Sequence, residues 1–584
     1  MNIGCCSAKK KFASSMILTF VLLLGVVSPL LIHLIPAKAE DQPKYGGTLV
    51  RADVSEPSTL NPCLTTAWTV HLIMGSTVFE TLVNYDENGN PIPRLATDWE
   101  VSEDGLTYTF HLIKNATWHD GEPFTSADVK FTVEEVLLKY HPGAKAEAWA
   151  ELDNVETPDD YTVVFKLKSP WSPLMKFLQQ NEEILPKHLY EGTDILENPY
   201  NLKPIGTGPF KFVEYVKGDH ITFEKNENYW KKGKPYLDKI INRIIPSYET
   251  MVMALEKKEI NYIPYYFPPY EAERVNALPG ISVVSEIGFK MSSHRLAYKM
   301  TDPILSNLKV RQALWHAIDR EELLEVGWYD QGLIMNSFIP DIPQLAWVFQ
   351  GRTLENPYPY DVDEANRLLD EAGYPRGTDG VRFSLECSFH SLRPEYVQAG
   401  ALIKDYLEEV GIDLDVKLVE FSAWCDKVFV QEDFEACLMT GYAALPDPHS
   451  SIKLHHSRYY IPGAQWLNNW QYNNSKVDEL FDKAVVEMDI NKRGDMYYEI
   501  ALEMQKDAMS VWLNLPYIHY GIDDDFKGLP QGPSGMEPMD SVWYTKGEAL
   551  AAPFPLTEVL IAIAVIAVVI IVGVAILYRR RKAA

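Results

Sequence analysis

The sequence predicts a mixed α/β body of two or three subdomains, followed by one transmembrane helix. Three observations predict it. Strand-type and helix-type patterns alternate along the body without a short repeat. The body, residues 40–550, is about 510 residues long, too long for one ordinary core. From Val559 to Tyr578 runs an apolar stretch of about 20 residues, enough to cross about 30 Å of hydrocarbon.

The flanks give that helix a direction. Arg579, Arg580, Arg581 and Lys582 follow it at once, and basic clusters beside a span stay cytoplasmic, so the body is expected outside the cell. At the other end, Lys9, Lys10 and Lys11 precede an apolar run, and Ala37-Lys38-Ala39 forms a small-x-small cleavage site. Residues 1–39 therefore read as a secretory signal, with an uncleaved anchor as the alternative. Cys5 and Cys6 precede the apolar run, whereas a lipoprotein cysteine would follow it.

Composition narrows the class. Hydrophobic residues make up 46% and aromatics 12%, which is a globular balance. The net charge is −27, and the segments outside residues 40–578 are purely basic, so the body is more acidic still. Such a body is a poor partner for nucleic acid or anionic lipid. Beyond the signal, Cys63, Cys387, Cys425 and Cys437 remain. They allow three pairings, of which Cys425–Cys437 closes the shortest loop, and buried free thiols are the alternative.

Along the body, residues 107–113 alternate, with Tyr108, Phe110 and Leu112 on one face. Residues 161–168 alternate likewise through Val163, Phe165 and Leu167. Thr125-Ser126-Ala127-Asp128 has capping-box spacing and opens a helix carrying Val129, Val133, Val136 and Leu137. Asp361 starts a helix that Gly373 closes. A helix is expected over 394–410, a strand over Ile412–Val419, and an amphipathic helix over 475–488.

The stretch ATDWEVSEDGLTYTFHLIKNATWHDGEPFTSADVKF, residues 96–131, resembles the signature of family 5 extracellular solute-binding proteins, the oligopeptide- and dipeptide-binding components of ABC importers. Further similar motifs are Leu60-Asn61-Pro62, Phe79-Glu80-Thr81-Leu82-Val83, Gly206-Thr207-Gly208-Pro209-Phe210, Asn228-Tyr229-Trp230 and Val310-Arg311-Gln312-Ala313-Leu314. Bottom-up, most of these residues read as structural. Asp104-Gly105 and Asp120-Gly121 form turns, Trp99 and Trp118 are core, and Gly206–Gly208 is a turn entering a strand rather than a phosphate loop.

The resemblance implies a two-lobed, periplasmic-binding-protein-like clamshell. Lobe I would combine residues 40–81, 206–288 and a return over 521–545, with a subdomain inserted over 82–205. Lobe II would span 289–520, and a linker over 546–558 would lead to the transmembrane helix 559–578 and a tail over 579–584. Ligand would sit between the lobes. The expected lining is Thr65, Thr66 and Trp68; then Tyr262, Tyr265 and Tyr266; then Tyr442, Asp447, Trp424, Trp466 and Trp470, with Arg393 placed to receive a carboxylate. Peptide-binding members carry an Asp that pairs with the peptide amino terminus; here Ala444-Leu445 stand in its place, which disfavours free-amine peptides unless Asp447, Glu432 or Asp433 substitutes.

The expected function is the solute receptor of an ABC importer, working with a permease and its ATPase subunits. The body would be a monomer that needs no cofactor and sits in an archaeal-type envelope. An oligosaccharide receptor is the alternative, with nickel-complex binding through His449, His455 and His456, or sensing, behind it. Nucleophile-elbow, HExxH and Walker patterns are absent from the sequence, so an enzyme is not expected.

Overall fold

The computed structural model describes residues 42–549, apart from 87, 142–148, 179–181, 265–266, 288–292, 392, 394, 441–446 and 531–537. The expected signal segment and transmembrane helix lie outside these residues. Among the described residues, no helix is long and apolar enough to cross a membrane. The chain divides into two compact units. In the smaller, Lys44–Tyr45 pairs antiparallel with Glu548–Ala549. The larger, Gly46–Tyr544, holds the two lobes.

The first lobe is built on a seven-stranded sheet. Its spatial order is Ile281–Glu286, Ile518–Asp523, Tyr262–Ile263, Thr48–Asp53, Lys239–Ile244, His220–Lys225 and Phe210–Val216. Thr48–Asp53 lies at the centre, parallel to both neighbours. Its Arg51 is fully buried, and the guanidinium donates to Asn242 Oδ1 (2.9 Å), Ser76 Oγ (3.0 Å) and the Ile73 carbonyl (3.0 Å). A buried cation tolerates this site because its donors are satisfied, and the bonds tie the strand to the helix Trp68–Met74. The Gly206 turn does enter the strand Phe210–Val216. A Cβ on Gly206 would lie 1.8 Å from the Val78 carbonyl oxygen, so only glycine fits.

The inserted part carries the four-stranded sheet Ala96–Val101, Thr107–Leu112, Thr162–Leu167, Leu152–Asp159. Tyr108, Phe110 and Leu112 are buried as the alternation predicts, and Trp118 is core. Trp99 is half-buried against Phe110. The capping box forms: the Thr125 N–H donates to Asp128 Oδ2 (2.9 Å).

The second lobe carries the six-stranded sheet Gly332–Ile334, Ser510–Pro516, His294–Tyr298, Ala436–Thr440, Phe383–His390, Ile412–Val419. The helix Glu395–Glu409 covers it, ending one residue earlier than its pattern suggested. The helix expected over 475–488 stops earlier, at Ala484. Outside donors claim its last carbonyls: Arg493 Nε bonds Ala484 O (3.1 Å), and the Ser172 N–H bonds Val485 O (2.9 Å). All four cysteines, Cys63, Cys387, Cys425 and Cys437, are free and buried.

Two connections join the lobes. Residues 287–293 lead from Ile281–Glu286 into His294–Tyr298. The return is far shorter: Ser510–Pro516 belongs to one sheet and Ile518–Asp523 to the other, with Tyr517 alone between them. On another side, the insert touches the second lobe. Trp171 packs edge-on against His449 with ring centroids 4.9 Å apart, beside the Ser172–Val485 bond.

Candidate functional site

Register places the important edge of each sheet. In the first lobe, Glu286 pairs with Ile518, so the connections leave from the end at which Thr48–Asp53 and Tyr262–Ile263 finish. In the second lobe, His294 pairs with both Thr440 and Asn514, so the connections arrive where Ala436–Thr440 and the parallel Phe383–His390 finish. Carboxyl ends of parallel strands are where α/β sheets receive ligands.

At the first-lobe edge lies a cavity of about 220 Å3, bordered by Asp53, Trp68, Leu72, Tyr248, Met251 and Ile263 among others. Beside it, the loop carrying Thr65 and Thr66 is held from beneath. Asn61 Oδ1 accepts from the Cys63 N–H (3.0 Å), and Asn61 Nδ2 donates to Asn201 Oδ1 (2.8 Å). The Thr65 carbonyl receives two imidazoles, His71 Nε2 at 2.9 Å and His141 Nε2 at 3.1 Å. A carbonyl only accepts, so both Nε2 atoms carry hydrogen. The other nitrogen of His71 sits 3.0 and 3.2 Å from the Glu183 carboxylate oxygens. Thr65 is half-buried and Thr66 exposed.

The second-lobe edge is rich in buried polar atoms with no hydrogen-bond partner among the described residues. They are Ser293 Oγ, His294 Nε2, Ser388 Oγ, His390 Nδ1, Trp424 Nε1 and Asn514 Nδ2. Native interiors leave few such groups, and a set at one sheet edge calls for a partner. His294 Nδ1 lies 3.2 Å from Asn514 Oδ1, which makes Nε2 the lone-pair nitrogen. Burial, then the nearby Arg393, push His294 well below its ordinary pKa and His390 down to about 4, so both rings are neutral. Arg393 stands just before the helix Glu395–Glu409, its Nη1 3.6 Å from Glu395 Oε1.

The other expected residues are placed as follows. Trp68 borders the first-lobe cavity. Tyr262 is buried in its sheet, stacked on Tyr520 at 6.3 Å, and its hydroxyl donates to the Pro530 carbonyl (2.7 Å). Trp424, Trp466 and Trp470 come together around Phe429; Trp466 is half-buried, while Trp424 and Trp470 are fully buried. Arg295 lies over Trp470 at 4.8 Å. Asp447 is buried and given to Arg493, with Nη1–Oδ2 2.7 Å and Nη2–Oδ1 2.6 Å, so the chain itself occupies both its oxygens. Tyr265, Tyr266 and Tyr442 lie outside the described residues.

The three histidines after Asp447 point to separate tasks. His449 packs on Trp171, His455 Nε2 lies 3.1 Å from Arg295 Nη1, and His456 Nδ1 lies 3.3 Å from Asp478. Among the described residues, no group of three or more His, Cys, Asp or Glu could hold a metal. Sequence reasoning missed Asp53, His294, His390 and Asn514. The available signal was a single polar residue at or near the end of an otherwise apolar strand, as in SVWLNLP.

Comparison with known proteins agrees with this architecture. Residues 90–459 match the model of the bacterial extracellular solute-binding proteins, family 5, middle. The chain is 28% identical over 510 residues to the oligopeptide-binding protein AppA of Bacillus subtilis, covering 85% of this chain and 91% of AppA. It is 31% identical over 435 residues to a putative ABC transporter peptide-binding protein of Brucella ovis, covering 73% and 79%. The structure of B. subtilis AppA with a nonapeptide superposes with a TM-score of 0.71 at 26% identity, covering 86% of this chain and all of that one. That of Helicobacter pylori DppA with the peptide STSA gives 0.70 at 28%, covering 86% and 99%. The fold is thus the two-lobed α/β fold of periplasmic binding proteins, and the chain belongs to family 5 of the extracellular solute-binding proteins.

Proposed function

We propose that this protein is the solute receptor of an ABC import system, capturing peptides or peptide-like solutes between its lobes and passing them to the permease. The observation that carries the reading is the pairing of two features: the first-lobe cavity and the second-lobe edge of buried polar atoms that have no partner among the described residues, each at the sheet end from which the connections run. The second-lobe groups suit the carboxylate and amide groups of a peptide chain. Arg393 offers a bidentate partner for a carboxylate, Asn514 Nδ2 offers a donor, and His294 Nε2 offers an acceptor for an amide N–H. Relatives named for peptides support the same reading.

The body is exported by residues 1–39 and tethered outside the cell by the helix 559–578, as in an archaeal-type envelope; the apolar run and the four basic residues after it support this. Native mass spectrometry of the purified protein tests the capture reading. Co-purified adducts that fragment as peptides are expected, and are lost on partial unfolding and refolding. A ligand-free protein that binds no member of a mixed tetra- to nonapeptide library would overturn it.

A further inference from the structure

We infer that the first-lobe cavity is a subsite for an organic cation, with the Asp53 carboxylate as its counter-charge: an alkylammonium or guanidinium group of the solute, such as a lysine or arginine side chain. This rests on the solute-receptor reading above and adds the class of group the first lobe selects.

The argument starts from the strand. Asp53 ends Thr48–Asp53, at the ligand-receiving edge of a sheet whose neighbours are parallel to it. Its residue is only 8% exposed, yet it borders the cavity. The remaining walls include Val54, Leu72, Met251 and Ile263, the rings of Trp68 and Tyr248, and the hydroxyl residues Ser55 and Thr69; among the described residues the lining holds no lysine, arginine or histidine. One acid in a largely apolar, aromatic cavity whose other polar side chains, among the described residues, are all neutral is a costly arrangement unless a cation completes it.

Among the described residues lining the cavity, none supplies that cation. Arg51 is two residues earlier on the same strand, but its Nε, Nη1 and Nη2 donate to Asn242, Ser76 and Ile73. Asp53 Oδ1 accepts from the Ser55 N–H at 3.1 Å, a turn contact that orients the carboxylate without neutralising it. Burial raises the Asp53 carboxyl above its ordinary range; the Ser55 N–H, the charge of Arg51, the Val54 N–H and the Thr69 hydroxyl oppose it without cancelling it, as for an acid short of compensating charge. Aromatic walls add attraction for an ammonium or guanidinium and none for an anion. A cavity of about 220 Å3 takes one such group with a short alkyl stem, not a whole peptide.

The test uses the full-length protein in detergent and three probes: n-pentylammonium chloride, n-butylguanidinium chloride and pentan-1-ol. Binding is read by saturation-transfer NMR and titration of tryptophan fluorescence. Both cations are expected to bind about ten- to a hundredfold more tightly than the alcohol, the ratio that one charge-assisted hydrogen bond supplies. Asp53→Asn should abolish the preference while leaving alcohol binding unchanged, and Asp53→Glu should keep part of it. Equal binding of cation and alcohol by the unaltered protein overturns the proposal without any variant. So does an undiminished preference in a folded Asp53→Asn protein. The two readings fail separately: if the cations bind with the stated preference but no peptide does, the subsite stands and the peptide reading falls.

Discussion

Removing the charge of Asp447 should destabilise the second lobe severely. Asp447 and Arg493 are both buried, and their two contacts of 2.7 and 2.6 Å form a bidentate pair. The guanidinium also donates to Ala484 O (3.1 Å) and Tyr497 Oη (3.1 Å), so it cannot turn to another acid. In Asp447→Asn, Oδ1 can still accept from Arg493 Nη2 and from the His449 N–H, whose bond is now 2.9 Å. The new amide then faces Nη1, donor against donor, and the cation is left buried without a counter-charge. Breaking a buried pair from one side costs about 3–5 kcal/mol, a large part of the stability of an ordinary domain. Urea unfolding followed by tryptophan fluorescence reads the shift. Arg493→Met together with Asp447→Asn removes both charges and should recover at least about 1 kcal/mol relative to the sum of the single changes. A loss below about 1 kcal/mol in Asp447→Asn, or strictly additive effects in the double variant, would refute the reasoning.

Three further outcomes are expected. Solute should reduce the radius of gyration in small-angle scattering, and Trp171→Ala, which removes the ring contact with His449, should raise the value of the solute-free protein; no change in either arm argues for a rigid receptor. His71→Phe removes one of the two imidazoles under the Thr65 carbonyl and leaves Glu183 without it, so solute affinity should fall by more than tenfold while overall helix content is kept; unchanged affinity would exclude this loop from binding. Stability should fall as pH drops from 6.5 towards 4. His449 is held down to about 3 by burial, so over that window the unfolded chain binds the proton and the folded one does not, giving up to about 1.4 kcal/mol per pH unit. Raised Asp53 and Asp128 carboxyls act in the opposite sense, so the check is the difference between the protein and His449→Phe, whose profile should be flatter.

Much of the fold was legible where burial follows periodicity. Thr107–Leu112 alternates because one face meets the core, and Ile412–Val419 matches its expected bounds to the residue. Capping was legible too: Asp361 accepts from the Glu364 N–H, and Gly373 takes φ +90° after the helix. The end of Ser475–Ala484 was not, because partners 9 and 312 residues away in sequence, Arg493 and Ser172, decide it. The site was the least legible part. Aromatic residues attract attention as ligand contacts, yet Tyr262 spends its hydroxyl on Pro530 inside the lobe. Asp53 and His294 look like ordinary strand-end polar residues, and only the packing reveals that, among the described residues, no cation meets the Asp53 carboxylate and no partner meets His294 Nε2. Four free, buried thiols likewise follow from where Cys63, Cys387, Cys425 and Cys437 fall in the core, which spacing cannot show.

The one-residue return through Tyr517 has a consequence for synthesis. Ile518–Asp523 fits between Ile281–Glu286 and Tyr262–Ile263, so the first-lobe sheet has a slot that no earlier segment fills. That sheet begins at residue 48, yet it stays open until roughly 230 further residues of the second lobe have emerged. At 5–20 residues per second the gap lasts roughly ten to fifty seconds. During that interval two bare strand edges face outward, each a template for pairing with a neighbouring chain. The nascent protein therefore depends on being kept unfolded, or shielded, until Ile518–Asp523 has been made, and a truncation before residue 518 should aggregate through those edges rather than yield a working half.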